Sequence, residues 1–499
     1  MDWPQDKTLR LALAAEPPTL DWNLATDTTS RALILNIMEP LLDYEFSSTG
    51  DFRLQPALIR EWESSDSGLT WVVKLEQGVF WSDGRPLIAQ HVVDSFERLL
   101  NPATGAFNAY HFYLIQGAQA YNQGKTKDFS EVGIEVLSDF SLRFRLESRA
   151  SYFPNLLALF NVCPIRRDII EAHGEDWTRP ENIVTLGPYR LKQWDHGRQV
   201  VLERYEEYFS QPASTQYIQA LIIPEASTAL NLFETGRLDV VDRIPLPELP
   251  GLRERPQFHK VQDLAIEYLA FNLRTPPFDS VLARRALSQA IDRQEVVQLL
   301  GGGQRVNAQF LPHGILGSGS KENEKGVRGS PQATAELEAL DSVTLSFYTD
   351  SVESLLAENL QAQISRSLGT RVELESMEWR AYLQRVNSQP PGLYRLGWMA
   401  VYPDPNLFMS LWTSQSHFNT SGWSHPKYDE LVAKAGSEMN REKRMEYYRE
   451  AQKILLEEDV VVVPLFTGAR QYLIADRVKE YPLNSLNRTR WQRVELKSP

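Results

Sequence analysis

The sequence predicts an α/β protein of two lobes that the chain enters more than once. Three observations carry this. Residues 218–242 read as strand, helix, strand, a crossover suited to a parallel strand pair, and residues 343–386 read as strand, helix, strand, helix. Strand-rich material lies on both sides of the segment 263–273. Residues 460–466 and 471–475 then return the chain as strands, expected to rejoin the first lobe; two crossings side by side make a hinge.

In chain order, residues 8–14 read as a strand, and Glu16-Pro17-Pro18-Thr19-Leu20-Asp21 as the turn out of it. The polar run Thr26-Asp27-Thr28-Thr29-Ser30 leads into a helix near 32–38. Residues 54–62 and 69–75 follow, the second alternating like a half-buried strand, and Asp83-Gly84 marks a turn. A helix over 91–100 is stopped by Asn101-Pro102. Residues 107–121 are dense in aromatics, 132–146 read as two strands around Ser138-Asp139, and 152–159 as a short apolar helix. Strands follow at 189–194 and 199–204, and another at 266–273. Asp279 is expected to cap a helix over 280–291, and Asp292 with Glu295 to form a capping box for the next, which Gly301-Gly302-Gly303 ends. Residues 314–331 read as a surface loop. Helices are expected at 428–435 and 442–457, with Glu442, Arg444, Glu446 and Arg449 on the wet side.

Composition excludes several function classes. No apolar run in the 499 residues approaches the roughly 20 that a membrane helix needs. A net charge of −13 with no basic stripe argues against nucleic acid and anionic membrane as partners. Cys163 is the only cysteine, so neither an internal disulfide nor a cysteine-based metal site is open to the chain. The eight histidines are scattered, and no metal or cofactor is expected. The chain carries no Gly-x-Ser-x-Gly, no His-Glu-x-x-His and no glycine-rich dinucleotide fingerprint. Gly124-Lys125-Thr126 imitates the end of a P-loop, but Gln119 stands where its first glycine belongs. The expectation is a binding protein, not an enzyme. The N-terminal Met1-Asp2-Trp3-Pro4-Gln5-Asp6 has neither the basic nor the apolar part of a signal peptide. A cytoplasmic chain and a mature exported chain with an added Met both remain open.

The densest functional stretch runs from Tyr394 to Trp423. A short strand delivers Trp398 to the proline-rich corner Tyr402-Pro403-Asp404-Pro405, where Asp404 is expected as the N-cap of a helix over 406–412 with Pro405 at its first position. Arg395 and Trp398, three apart, should face opposite sides of that strand. By residue type alone, Trp398 and Val401 read as core, Arg395 as an ion-pair partner, and Phe107, Tyr110 and Tyr113 as a second-lobe core. With its arginine neighbour, however, a tryptophan at a strand-to-helix corner suits the wall of a ligand site.

Separated blocks from about Thr8 to Val494 give the chain a family resemblance. They are Phe80-Trp81-Ser82-Asp83-Gly84-Arg85-Pro86; Asp176-Trp177-Thr178 with Asn182-Ile183-Val184-Thr185 and Gly187; Phe271-Asn272, Pro277-Phe278-Asp279 and Arg284-Arg285-Ala286-Leu287 with Ala290-Ile291-Asp292-Arg293; Tyr402-Pro403-Asp404-Pro405; and Gly422-Trp423 with Pro426 and Tyr428-Asp429. In this order they resemble the oligopeptide-binding solute receptors of bacterial ABC importers. The resemblance implies a two-lobed periplasmic-binding-protein-like α/β fold with hinge strands and an extra α/β subdomain inserted in the first lobe. Lobe one would be 1–38, 162–262 and 470–499, the insert 39–161 and lobe two 263–469. It also implies a monomer outside the cytoplasmic membrane that closes on an extended peptide held by strand addition and passes it to a membrane permease. Thr26, Asp27 and Thr28 would pair with the ligand, with Tyr110 facing it. Gly397, Trp398 and Met399 would form the opposite wall, Arg395 would meet a ligand carboxylate, and Asp404 is a candidate acid. Two positions depart from the pattern. Val401 stands where the family's Gly-Trp-x-Ala-Asp-Tyr run has the acid that pairs with the peptide's amino group, and Glu353 falls where some members carry a basic or histidine side chain. These departures keep a modified or cell-wall peptide, a sugar oligomer or a metal chelate in view as ligands; a cytoplasmic ligand sensor is the alternative role if Met1 is the genuine start.

Overall fold

A computed structural model describes residues 3–46, 52–318 and 342–497. Met1, Asp2 and most of the loop expected at 314–331 lie outside the described residues. The chain divides into two compact units, Met1–His259 with Gln471–Pro499, and Lys260–Arg470. No helix among the described residues is long and apolar enough to cross a membrane.

In the first unit, Tyr189–Asp195, Gln199–Arg204 and Tyr217–Ile222 form an antiparallel run. Thr8–Leu13 lies parallel to Tyr217–Ile222, from Thr8 against Tyr217 to Leu13 against Ile222, and its Leu11 pairs in parallel with Val240. The strands expected to form a parallel pair, 218–223 and 240–242, therefore do not touch. The amino-terminal strand is inserted between them, because a crossover fixes the sense of two strands and not their adjacency. Its alternating Leu9, Leu11 and Leu13 are buried. A separate four-stranded antiparallel sheet follows the order Ile59–Ser65, Thr70–Leu75, Ser141–Arg145, Ile134–Ser138. The helix Ala89–Leu100 packs on it through Phe96, whose ring is 5.5 Å from Phe144 and 5.2 Å from Phe112.

Asp239 closes the first unit. Its carboxylate takes the backbone N–H of Arg10 at 2.7 Å, the Arg10 guanidinium at 2.8 Å and Arg477 Nε at 2.7 Å. Burial alone would raise its pKa, but hydrogen bonds from Arg477 and Arg10 and their charges outweigh that and hold it below the ordinary value. A depressed folded pKa contributes stability that is fully present above the unfolded value of about 3.9 and is lost as pH falls through the lower folded one. Asp239→Asn is expected to cost about 2 kcal/mol at neutral pH. In thermal melts, the gap to wild type should close only as pH falls below about 4.

The second unit is built on a sheet in the order Val372–Met377, Val343–Tyr348, Leu393–Met399, Phe258–Phe271, Val462–Ile474. The first two pairings are parallel and the third antiparallel. The helices Val281–Ala290, Arg293–Leu300 and Ser351–Leu368 bury Leu287, Val296, Leu356, Leu360 and Ile364 against Leu345, Phe347, Leu393 and Val463.

Three expectations are corrected here. Residues 460–466 and 471–475 belong to one 13-residue strand, Val462–Ile474. Gly468 does not break it: a Cβ there would meet Ala265 and Asp263 at ordinary contact distances of 3.6 and 3.7 Å. The cap of Val281–Ala290 is Ser280 rather than Asp279, whose carbonyl instead accepts from Arg284. Asp292 does cap its helix through Gln294 N and Glu295 N, but Glu295 accepts from Asn359 at 2.8 Å and leaves the capping box half made.

Candidate functional site

In the second unit, the strand Leu393–Met399 pairs without a break against the long strand, from Ala265 opposite Met399 to Phe271 opposite Leu393. Regular pairing sends Arg395, Gly397 and Met399 to one face and Leu396 and Trp398 to the other. Trp398 is half-buried and meets Phe418 edge-on at 5.0 Å, while its buried Nε1 has no hydrogen-bond partner among the described residues. Gly397 and Met399 are exposed, and Val401 is half-buried just beyond the strand.

Arg395 is buried between two carboxylates, with NH2 2.7 Å from Glu267 Oε2 and 3.3 Å from Glu353 Oε1. Its NH1 donates to the carbonyl of Leu396, and Tyr348 OH donates to Glu353 Oε1 at 3.2 Å. Burial would lower the Arg395 pKa, but Glu353 and Glu267 more than reverse that and keep it charged. Desolvation, opposed by Arg395 and reinforced by Glu353, raises the pKa of Glu267. Glu267 sits opposite Gly397 so closely that any Cβ at that position would collide with its carboxylate. Glu353 was visible in the sequence as a departure. Glu267 was missed, although a lone charge between Ile266 and Tyr268 in an apolar strand was the available signal.

Asp404 caps Pro405–Met409, accepting from Asn406 N at 2.8 Å. The same carboxylate takes both arms of Arg444, at 2.8 and 2.6 Å, and both residues are buried. Arg444 was expected on the wet side of its helix, since charge alternation suggested a solvated face. It points inward because Asp404 and the carbonyl of Ala435 satisfy it there. The charge of Asp404 is thus matched within the protein.

In the first unit, Asp27 caps Thr28–Ile37 through Ser30 N at 2.8 Å, with Thr26 and Thr28 exposed beside it. Asn161 holds the preceding turn by donating to the carbonyls of Trp22 and Ala25 at 2.7 and 3.0 Å. Asn108, in the turn Phe107–Phe112, donates to the Ala25 carbonyl at 3.3 Å and so brings Tyr110 into the neighbourhood of Thr26. Tyr110 stacks on His111 at 4.1 Å. Desolvation raises the Tyr110 pKa, keeping its hydroxyl protonated, and lowers that of His111 to about 4, so the imidazole is neutral at pH 7. Among the described residues, no group of three or more His, Cys, Asp or Glu is placed to hold a metal ion.

Residues 53–420 match the family model described as bacterial extracellular solute-binding proteins, family 5 Middle. The chain belongs to family 5 of the bacterial extracellular solute-binding proteins. This family 5 chain is 27% identical to the oligopeptide-binding protein OppA of Bacillus subtilis, over 92% of its own length and 87% of the relative's. It is also 27% identical to the periplasmic murein peptide-binding protein MppA of Escherichia coli, over 94% and 89%. A solved oligopeptide-binding protein of Borrelia burgdorferi superposes with a TM-score of 0.83 at 27% identity, over 98% of this chain and 100% of that one. The family is one of binding proteins.

Proposed function

We propose that this family 5 chain is a receptor that captures peptides outside the cytoplasmic membrane and delivers them to the permease of an ABC importer. It acts by binding and not by catalysis. The observation that carries this reading is the wall at the end of Leu393–Met399. There a half-buried indole meets Phe418 edge-on at 5.0 Å, while Gly397 and Met399 are exposed on the opposite face of the same strand. An indole supplies a flat apolar surface, which suits a peptide with variable side chains. Thr26, Asp27, Thr28 and Tyr110 are proposed as ligand contacts of the first unit, on the family resemblance. A peptide modified at its amino end is the second reading, favoured by Val401 in place of an acid and by the engagement of Asp404 with Arg444.

Calorimetry with a short-peptide library, on wild type and Trp398→Ala, tests the proposal. The substitution is expected to weaken binding by about 2 kcal/mol while leaving the melting temperature of the empty protein nearly unchanged. A large loss of stability with unchanged affinity would return Trp398 to a packing role.

A further inference from the structure

We propose that Glu267, with Glu353 behind it, receives a cationic group of the ligand, an ammonium or guanidinium, and that the ligand carries no free carboxylate at that point. The inference rests on the peptide-receptor reading and names the class of peptide. Its basis is a charge count made with positions. Among the described residues Arg395 is the only cation paired with the two carboxylates, and its guanidinium is already divided between them, with NH1 turned to backbone carbonyls. Asp263, which also raises the Glu267 pKa, is paired with Arg470 and leaves the excess negative charge uncancelled. A ligand carboxylate would therefore have to displace a buried partner of Arg395 beside a net negative charge.

A cation meets the opposite situation. Glu267 keeps 27% of its side chain exposed, and Gly397 opposite it contributes no side chain to cover it. Glu353 is 7% exposed, and among the described residues neither its Oε2 nor Arg395 Nε has a hydrogen-bond partner. A buried carboxylate oxygen without a donor is destabilising. A ligand ammonium or guanidinium that takes over Glu267 frees Arg395 to turn onto Glu353 and supply the missing donor. Binding a cation thus relieves a defect of the empty protein, whereas binding a carboxylate deepens it.

The test is calorimetry of the full chain with N-acetylated tripeptides carrying Lys, Gln or Glu at each position in turn, each as the carboxy-terminal acid and amide. The tightest Lys amide is expected to bind about 10- to 100-fold more tightly than its Glu counterpart, as a charge-assisted hydrogen bond at a sheltered site should give. Glu267→Gln should shrink that ratio to within about threefold. Glu353→Gln, which keeps Glu267 on Arg395, provides a second variant and should reduce the same ratio. Acids that bind as well as amides, or a Lys preference that survives both substitutions, would overturn the inference. Silence of the whole series would instead overturn the peptide-receptor reading, a result distinct from binding without charge preference.

Discussion

Asp404→Ala is expected to destabilise the unit Lys260–Arg470 by about 3–5 kcal/mol, the cost of leaving a buried partner of an ion pair uncompensated. The geometry sets this value. Both side chains are less than one-tenth exposed, the pair is bidentate at 2.6 and 2.8 Å, and the same carboxylate also caps a helix. Removing it strands the Arg444 guanidinium and the Asn406 N–H together. Asp404→Asn keeps a cap oxygen and loses only the charge, so it should cost less. Replacing both partners, as Asp404→Asn with Arg444→Met, should recover much of the loss, because the desolvation of the arginine disappears with it. Urea unfolding of the three variants reads these differences. A loss below about 1 kcal/mol for Asp404→Ala would mean that water reaches Arg444 and that the pair is effectively a surface one.

The contrast between Asp404 and Arg444 shows where the sequence was readable. Asp404 before Pro405 is a local signal, since a cap oxygen and a proline without an N–H are both decided within three residues. That Arg444 turns inward depends on a partner 40 positions away, and nothing in the helix's own periodicity reports it. Strands and helices of the second unit were legible for the same local reason: Val343–Tyr348, Ser351–Leu368, Val372–Met377 and Trp379–Ser388 follow their hydrophobic periods closely. The long strand Phe258–Phe271 was seen only in its apolar second half, because His259, Lys260 and Gln262 show no alternation and are fixed by pairing rather than by burial. The acidic surroundings of Arg395 were half legible. Glu353 stood out against a family pattern, whereas Glu267 becomes meaningful only when strand register sets it across from Gly397.

The second large effect concerns ligand choice and rests on the peptide-receptor proposal. Val401 is half-buried at the exit of the strand that carries Trp398. If it lies where relatives hold an acid, its isopropyl group cannot pair a ligand ammonium, and sheltering that charge unpaired costs several kcal/mol in order of magnitude. Asp404, three residues on, cannot substitute, because both of its oxygens are taken by Arg444. Ordinary free-amine tri- to pentapeptides are therefore expected to bind weakly to the wild-type protein, and their N-acetylated forms more tightly. Val401→Asp restores a carboxylate beside the wall and should shift the preference toward the free-amine series by about 10- to 100-fold, the value of one charge-assisted hydrogen bond. Calorimetry with matched free and N-acetylated peptides on both proteins measures this as a ratio of ratios, in which differences in peptide hydrophobicity cancel. Micromolar or tighter binding of the free-amine peptides by the wild type would show that another acid serves the amino group. Glu267 would then be the first to replace, since it is the partly exposed carboxylate of a site that already carries one negative charge too many.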